Sequence, residues 1–281
     1  MDTLNKKLTY TNCQGEQLVF GEGCLHYRSH ELFNVNWTFE TQGQSIRTAK
    51  VEAQERSFPV TVSGGSLEER NRVYKVFEKD AASGTTGTLT YGEWQMDAVC
   101  TTQVPDYWYV DDGLEERQLT LLFPRPLWVR NELYQFTVTD TTDTGTIAGG
   151  DYPKPYPYGY PMQASSKTIE VDTLGSSEFL WRVWGAAVNP YIIIDGNRYE
   201  VDCTVPANSR LELDTRERSI DLIDIKGNRE TVLDKRVRGG NGSGTYAFRK
   251  LPNGTQVISS PGTFNYDIVI YNERTAPEWH A

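Results

Sequence analysis

Apolar and polar positions alternate with a period of two over many short stretches of this chain, and helical spacing stands out in one place. In the first half, Val35-Asn36-Trp37-Thr38-Phe39 and Phe58-Pro59-Val60-Thr61-Val62 alternate, and Leu18-Val19-Phe20 is β-branched or aromatic. Alternation of this kind predicts strands with one face turned inward. Strands are expected again at Thr88-Leu89-Thr90-Tyr91, Gln95 to Thr102 and Leu119-Thr120-Leu121-Leu122-Phe123. Pro124 and Pro126 should stop the last of these, because proline cannot donate to a ladder. Between them, Pro105 through Glu116 reads as a polar and aromatic loop.

The helix is predicted over about 66–83. Ser66 with Glu69 three residues later fits a capping box, and two acids in the first turn suit the helix dipole. Leu67, Val73, Tyr74, Phe77 and Ala81 form its apolar stripe, and Gly84 ends it. Thr139 to Gly150 is an aperiodic Thr/Asp/Gly tract that leads into alternating prolines and tyrosines from Tyr152 to Pro161. That segment reads either as an extended polyproline-type arm or as an irregular linker. The second half has strand candidates at Ile169–Asp172, Phe179–Trp184, Tyr191–Ile194, Tyr199–Val201, Leu211–Asp214, Ile220–Leu222 and Phe264–Ile268. Asp195-Gly196-Asn197 predicts a tight hairpin between two of them. Many short strands with regular turn signals argue for an antiparallel β-sandwich, so the fold class is all-β with one helix in the N-terminal half.

Composition narrows function more than fold. The 281 residues carry a net charge of −10, and the densest basic stretch, Lys235-Arg236-Val237-Arg238, is short. Neither nucleic-acid binding nor anionic membrane binding is expected from such a surface. No apolar run reaches the roughly 20 residues that span a bilayer, and no secretory segment follows Met1. Cys13, Cys24, Cys100 and Cys203 form no CxxC pair, so they read as reduced thiols, and zinc is not expected. His26 and His30 are four apart but lie in no helical stripe, and His280 is distant. Gly239 to Gly244 lacks the Lys-Ser/Thr of a phosphate cradle and reads as a flexible loop. Asp111, Asp112, Glu115 and Glu116 are read as solvated acids, although glycoside hydrolysis does use paired carboxylates. Trp181 and Trp184 are three apart in a strand and so point to opposite faces. One of the two can be core, while the other covers a barrel end, a partner or a ligand. No catalytic, cofactor or metal residues are assigned.

The order of motifs in the second half resembles the phage distal tail protein family. It runs from Phe179-Leu180-Trp181-Arg182-Val183-Trp184-Gly185-Ala186-Ala187-Val188-Asn189-Pro190-Tyr191-Ile192 through Leu211–Thr215 and Thr245–Gly254 to Phe264–Ile268 and Tyr271–Trp279. The first half, with its capped helix and its strand closing on Pro124–Trp128, is similar to that family as well. The resemblance implies an N-terminal ring-forming β-sandwich over 1–135 and a galectin-like β-sandwich over 136–281, entered through the Pro/Tyr linker at about 139–165. It implies a homo-hexameric ring, single or stacked, joining the tail tube protein to a tail-associated hub or fibre protein. The ring would be a docking platform for a receptor-binding protein, sited in the virion at the tail tip after assembly in the host cytoplasm. Two other readings compete. One is a carbohydrate-binding β-sandwich that meets host cell-wall glycan, and the other is a glycosidase or peptidoglycan hydrolase.

Overall fold

A computed structural model describes residues 7–27, 31–64, 66–109, 114–138 and 166–277. The chain forms two compact units, Met1–Arg130 with Glu273–Ala281, and Asn131–Asn272. The division therefore falls before the expected 135/136, and the chain's end returns to the first unit. Phe136 belongs to the second unit's core and stacks on Tyr266 at 4.6 Å between ring centroids. Glu273 is ion-paired with Arg125 at 2.7 Å within the first unit. The Pro/Tyr segment, His30, His280, Asp111 and Asp112 lie outside the described residues.

The first unit has strands β1 (Leu8–Thr11), β2 (Gln17–Val19), β3 (Leu25–Tyr27), β4 (Thr38–Gln42), β5 (Ser45–Lys50), β6 (Gln54–Ser63), β7 (Gly87–Tyr91), β8 (Trp94–Tyr109), β9 (Leu114–Phe123) and the start of β10 (Trp128–Phe136). All pairings among them are antiparallel. β8 serves two sheets. Its first residues pair with β7, which pairs with β1 and β2 in turn. From Val99 onward it pairs with β9, followed by β6 and β3. Phe58, Val60 and Val62 on β6, with Leu119, Leu121 and Phe123 on β9, bury the inward positions that the alternation predicts. The β3 register ends at Val60, next to Pro59, where the missing amide proton costs no ladder bond to that neighbour.

Helix α1 (Leu67–Ser83) starts and stops where its cap signals predict. Ser66 accepts from the Glu69 amide at 3.2 Å, and the Glu69 carboxylate accepts from the Ser66 amide at 2.6 Å. Gly84 takes the left-handed conformation at the other end. The buried face differs from the predicted stripe. Val73, Val76, Phe77 and Asp80 are buried, whereas Leu67 and Ala81 are exposed. Asp80 can face inward because its carboxylate accepts hydrogen bonds from the Tyr10 hydroxyl at 2.5 Å and the Cys13 amide at 2.7 Å. Burial and this hydrogen bond push the Tyr10 phenol well above its ordinary pKa.

The segment read as a loop from Pro105 to Glu116 instead supplies the outer arms of the β8–β9 hairpin. The consecutive aromatics Tyr107-Trp108-Tyr109 have high strand propensity, which outweighs the proline there. The ladder accommodates Pro105 with a register shift between Pro105 and Tyr107.

The second unit is a β-sandwich. Its strands are β11 (Ser166–Val171), β12 (Phe179–Trp184), β13 (Ala187–Val188), β14 (Tyr191–Ile194), β15 (Asn197–Glu200), β16 (Thr204–Val205), β17 (Arg210–Asp214), β18 (Ser219–Ile223), β19 (Arg229–Thr231), β20 (Gly254–Ser259) and β21 (Asn265–Arg274). One sheet runs β19-β18-β17-β12-β21 and the other β11-β20-β14-β15, all antiparallel. Asp195 (φ 46°) and Gly196 (φ 70°) form the two-residue loop between β14 and β15, both left-handed as a type I′ turn requires. Trp181, Val183, Leu211, Leu213, Ile268 and Ile270 of one sheet share a core with Ile169, Ile192, Ile194 and Ile258 of the other. Among the described residues α1 is the only α-helix, and the protein is all-β in class. No described helix is long and apolar enough to cross a membrane.

Candidate functional site

No three His, Cys, Asp or Glu side chains among the described residues gather as a metal site. His26 is exposed on β3. Glu115 and Glu116 sit on β9. Glu115 is engaged by Arg117 and the Tyr74 hydroxyl, and the Arg117 guanidinium lies 3.6 Å from the Tyr74 ring centroid. That cluster ties α1 to the sheet. The four cysteines are free thiols, with Cys13 exposed and the rest buried. Burial pushes the Cys100 thiol up to about 11, so it is protonated at neutral pH. Trp181 is buried in the second core, while Trp184 is exposed, as their spacing requires.

What remains is surface, and the β4–β5 hairpin is its most unusual part. Its strands pair only with each other. Every residue of β4, and every residue of β5 except Thr48, is exposed. Gln42 pairs with Ser45, so Gly43-Gln44 is a two-residue loop, and Gly43 (φ 61°) supplies the left-handed first position of a type II′ turn. At the base, Gln54 holds Asn36, donating to its carbonyl at 2.6 Å and accepting from its amide at 3.3 Å. A Lys50–Glu40 ion pair at 2.8 Å braces the strands.

Phe39 stands 53% exposed and Ile46 64%. Directly opposed residues share a face, and successive residues alternate. Phe39 opposes Ala49, and Ile46 opposes Thr41. Phe39 and Thr41 are two apart on β4, and the register shift between Glu40 and Thr41 leaves Arg47 as an extra residue on β5, so Phe39 and Ile46 project from the same face. Trp37, at the entrance to β4, is exposed as well. A lone two-stranded hairpin is marginal in water, and this one displays two large apolar side chains on one uncovered face. The exposed outer half of β8 is guarded differently. It carries Val104 and Tyr107 but also Pro105, Asp106 and two register shifts, all of which discourage edge pairing.

Sequence reasoning found part of this surface. It placed a strand at Val35–Phe39, whereas β4 begins at Thr38, and it had no signal for β5, whose Ser45-Ile46-Arg47-Thr48-Ala49-Lys50 is mostly polar.

No protein-family model matches the chain, and no curated protein matches it. Solved structures do. The chain is similar to SPP1 Dit, described as a paradigm of the hub adsorption apparatus in phages infecting Gram-positive bacteria, with a TM-score of 0.57 and 13% identity over 95% of this chain and 98% of that one. It is similar to a chain of the phage P2 baseplate in its activated conformation with calcium, with a TM-score of 0.63 and 14% identity over 97% of this chain and 99% of that one. The same baseplate with strontium gives 0.62 and 14% over the same shares. Over nearly its whole length, this chain has the fold of the phage Dit and baseplate proteins it matches.

Proposed function

We propose that the protein is a distal tail component of a phage or phage-like particle, a structural part and not an enzyme. The observation that carries this reading is the fold match, which covers nearly the full length of both chains. Six copies close into a ring at the tail tip, single or stacked. The ring joins the tail tube protein to the hub or fibre protein and offers a platform for receptor-binding parts. The first unit is the ring domain, and the galectin-like second unit carries the docking surface. Assembly takes place in the host cytoplasm. The exposed β4–β5 hairpin supports the ring reading, since a closed ring needs a projecting element on one copy and a receiving surface on the next.

The test is absolute mass by light scattering after size exclusion, with negative-stain imaging, of the full chain alone and mixed with its tail tube protein. The expected result is a six-copy species and a ring in projection. A monomer at every concentration, both alone and with the tube protein, overturns the reading.

A further inference from the structure

The outward face of the second unit's β19-β18-β17-β12-β21 sheet carries a second built surface, and it stands independently of the ring. Register places Asp267, Arg182, Glu212 and Asp221 side by side across four strands. Asn265, Trp184, Arg210 and Ile223 form the next row. Glu212 accepts from Arg182 and Arg210 at 2.9 Å each and from Arg229 at 3.3 Å. Trp184 is 40% exposed yet fixed in place. Its indole N–H donates to Asp267 at 2.9 Å, and the Arg182 and Arg210 guanidinium carbons lie 5.7 and 5.9 Å from its ring centroid. The indole is therefore partly open to solvent, with two guanidiniums beside its ring, and is held in place by buried or half-buried charges.

Beside it lies an open groove of about 380 Å³, bounded by Trp184, Asn208, Arg210, Asp224, Ile225 and Lys226. Ile225 is 78% exposed on the far rim. That rim is rigid too, because Asp224 accepts from the Lys226 and Asn228 amides at 2.8 and 2.9 Å. The groove offers a flat aromatic wall, one aliphatic contact and a border of fixed donors and acceptors.

Charge selects among occupants. Around the groove stand four cations (Arg182, Arg210, Arg229, Lys226) and four anions (Glu212, Asp221, Asp224, Asp267), which cancel on a chain of net charge −10. An anionic or cationic ligand gains nothing from such a site. A protein partner would want a contiguous apolar patch at its centre, and two separated apolar groups do not make one. A pyranose presents an apolar C–H face for an aromatic plane and a belt of neutral hydroxyls for fixed charged groups, and one or two such rings fit the volume. We propose that the Trp184 groove is a binding site for a neutral glycan.

The experiment is a screen of the full chain against arrayed neutral and anionic glycans. It is followed by titration with maltose, lactose, chitobiose and any array hit, read by tryptophan fluorescence and saturation-transfer NMR. At least one neutral glycan should bind in the millimolar range or tighter. Trp184→Ala should weaken it by on the order of tenfold, the equivalent of about 1.4 kcal/mol, and Trp184→Phe by less. Ile225→Asp, at a site too exposed to affect folding, should weaken it as well. The proposal fails if no neutral glycan binds, if an anionic glycan is preferred, or if both variants bind as the wild type does. It also fails if Trp184→Ala changes only the light-scattering mass, which would make the face a protein contact.

Discussion

Replacing Phe39 and Ile46 together with serine separates the hairpin's role in assembly from any role in folding. Full burial of a Phe or Ile side chain is worth about 1.5–3 kcal/mol. With 53% and 64% of their surfaces still exposed, the two have about 0.8–1.6 and 1–2 kcal/mol left to gain by docking. Their sum, about 2–3.5 kcal/mol per contact, corresponds to roughly a 30- to 300-fold weaker association at each subunit contact. By the same measure the parts already buried, a little under half of Phe39 and just over a third of Ile46, are worth at most about 1–2.5 kcal/mol within the chain. The assay pairs light-scattering mass over a dilution series with urea unfolding of the same samples. The double variant should dissociate at concentrations where the wild type holds together, while its unfolding free energy falls by no more than about 2.5 kcal/mol. Wild-type association in the variant would refute the assignment of the contact. A loss of stability beyond about 2.5 kcal/mol would show that these side chains are packed into their own molecule's core.

Three further outcomes follow from the interior. At Gly87 an added Cβ would lie 2.6 Å from the Thr11 carbonyl, the Tyr10 hydroxyl and Asp80, so Gly87→Ala should cost about 1–3 kcal/mol in urea unfolding by overpacking a buried hydrogen-bonded cluster. Trp181→Ala should cost about 3–5 kcal/mol, whereas Trp181→Phe should cost far less, because the indole N–H has no hydrogen-bond partner to lose. Burial alone would raise the Glu212 pKa, but the hydrogen bonds from Arg182 and Arg210 outweigh it and leave the carboxyl below its ordinary 4.5. The stability it lends is present above that value and is lost as pH falls through the lower folded-state value, so fluorescence-monitored unfolding of Glu212→Gln should be flatter across that acid range than wild type.

Where one side of an element is buried, the sequence was readable. Phe58, Val60 and Val62 show a strict alternation because only one face of β6 meets the core. The helix ends were legible because capping is local chemistry confined to Ser66, Glu69 and Gly84. Legibility failed where a distant partner decides the outcome. Asp80 looks like a surface acid on the helix until Tyr10 and the Cys13 amide arrive from about seventy residues away in sequence to satisfy it. The unit boundary was displaced for a related reason. Nothing in Asn131 to Phe136 signals a change of core, because β10 continues as one unbroken strand and only tertiary packing assigns its halves. Strands β1 and β20 were missed although Leu8-Thr9-Tyr10-Thr11 and Thr255-Gln256-Val257-Ile258 carry the β-branched content of strands.

The two candidate surfaces were legible to different degrees, and the difference has a physical basis. The spacing of Trp181 and Trp184 required that they face opposite ways without saying which is core, and the structure buries Trp181 and leaves Trp184 outward. What makes it a site is the lattice of Arg182, Arg210, Glu212 and Asp267, drawn from three strands up to 85 positions apart, and a register shift of one residue would scatter them. The β4–β5 hairpin has the reverse character. Its contacts are local, yet its Thr, Gln, Ser and Lys content resembles a solvated loop, and its two exposed apolar residues share a face only through a bulge in β5 that no alternation in the sequence announces. An element shaped for a partner outside the chain carries a hydrophobic pattern that the chain's own core cannot explain, which is why Phe39 and Ile46 are the positions where substitution should separate assembly from folding.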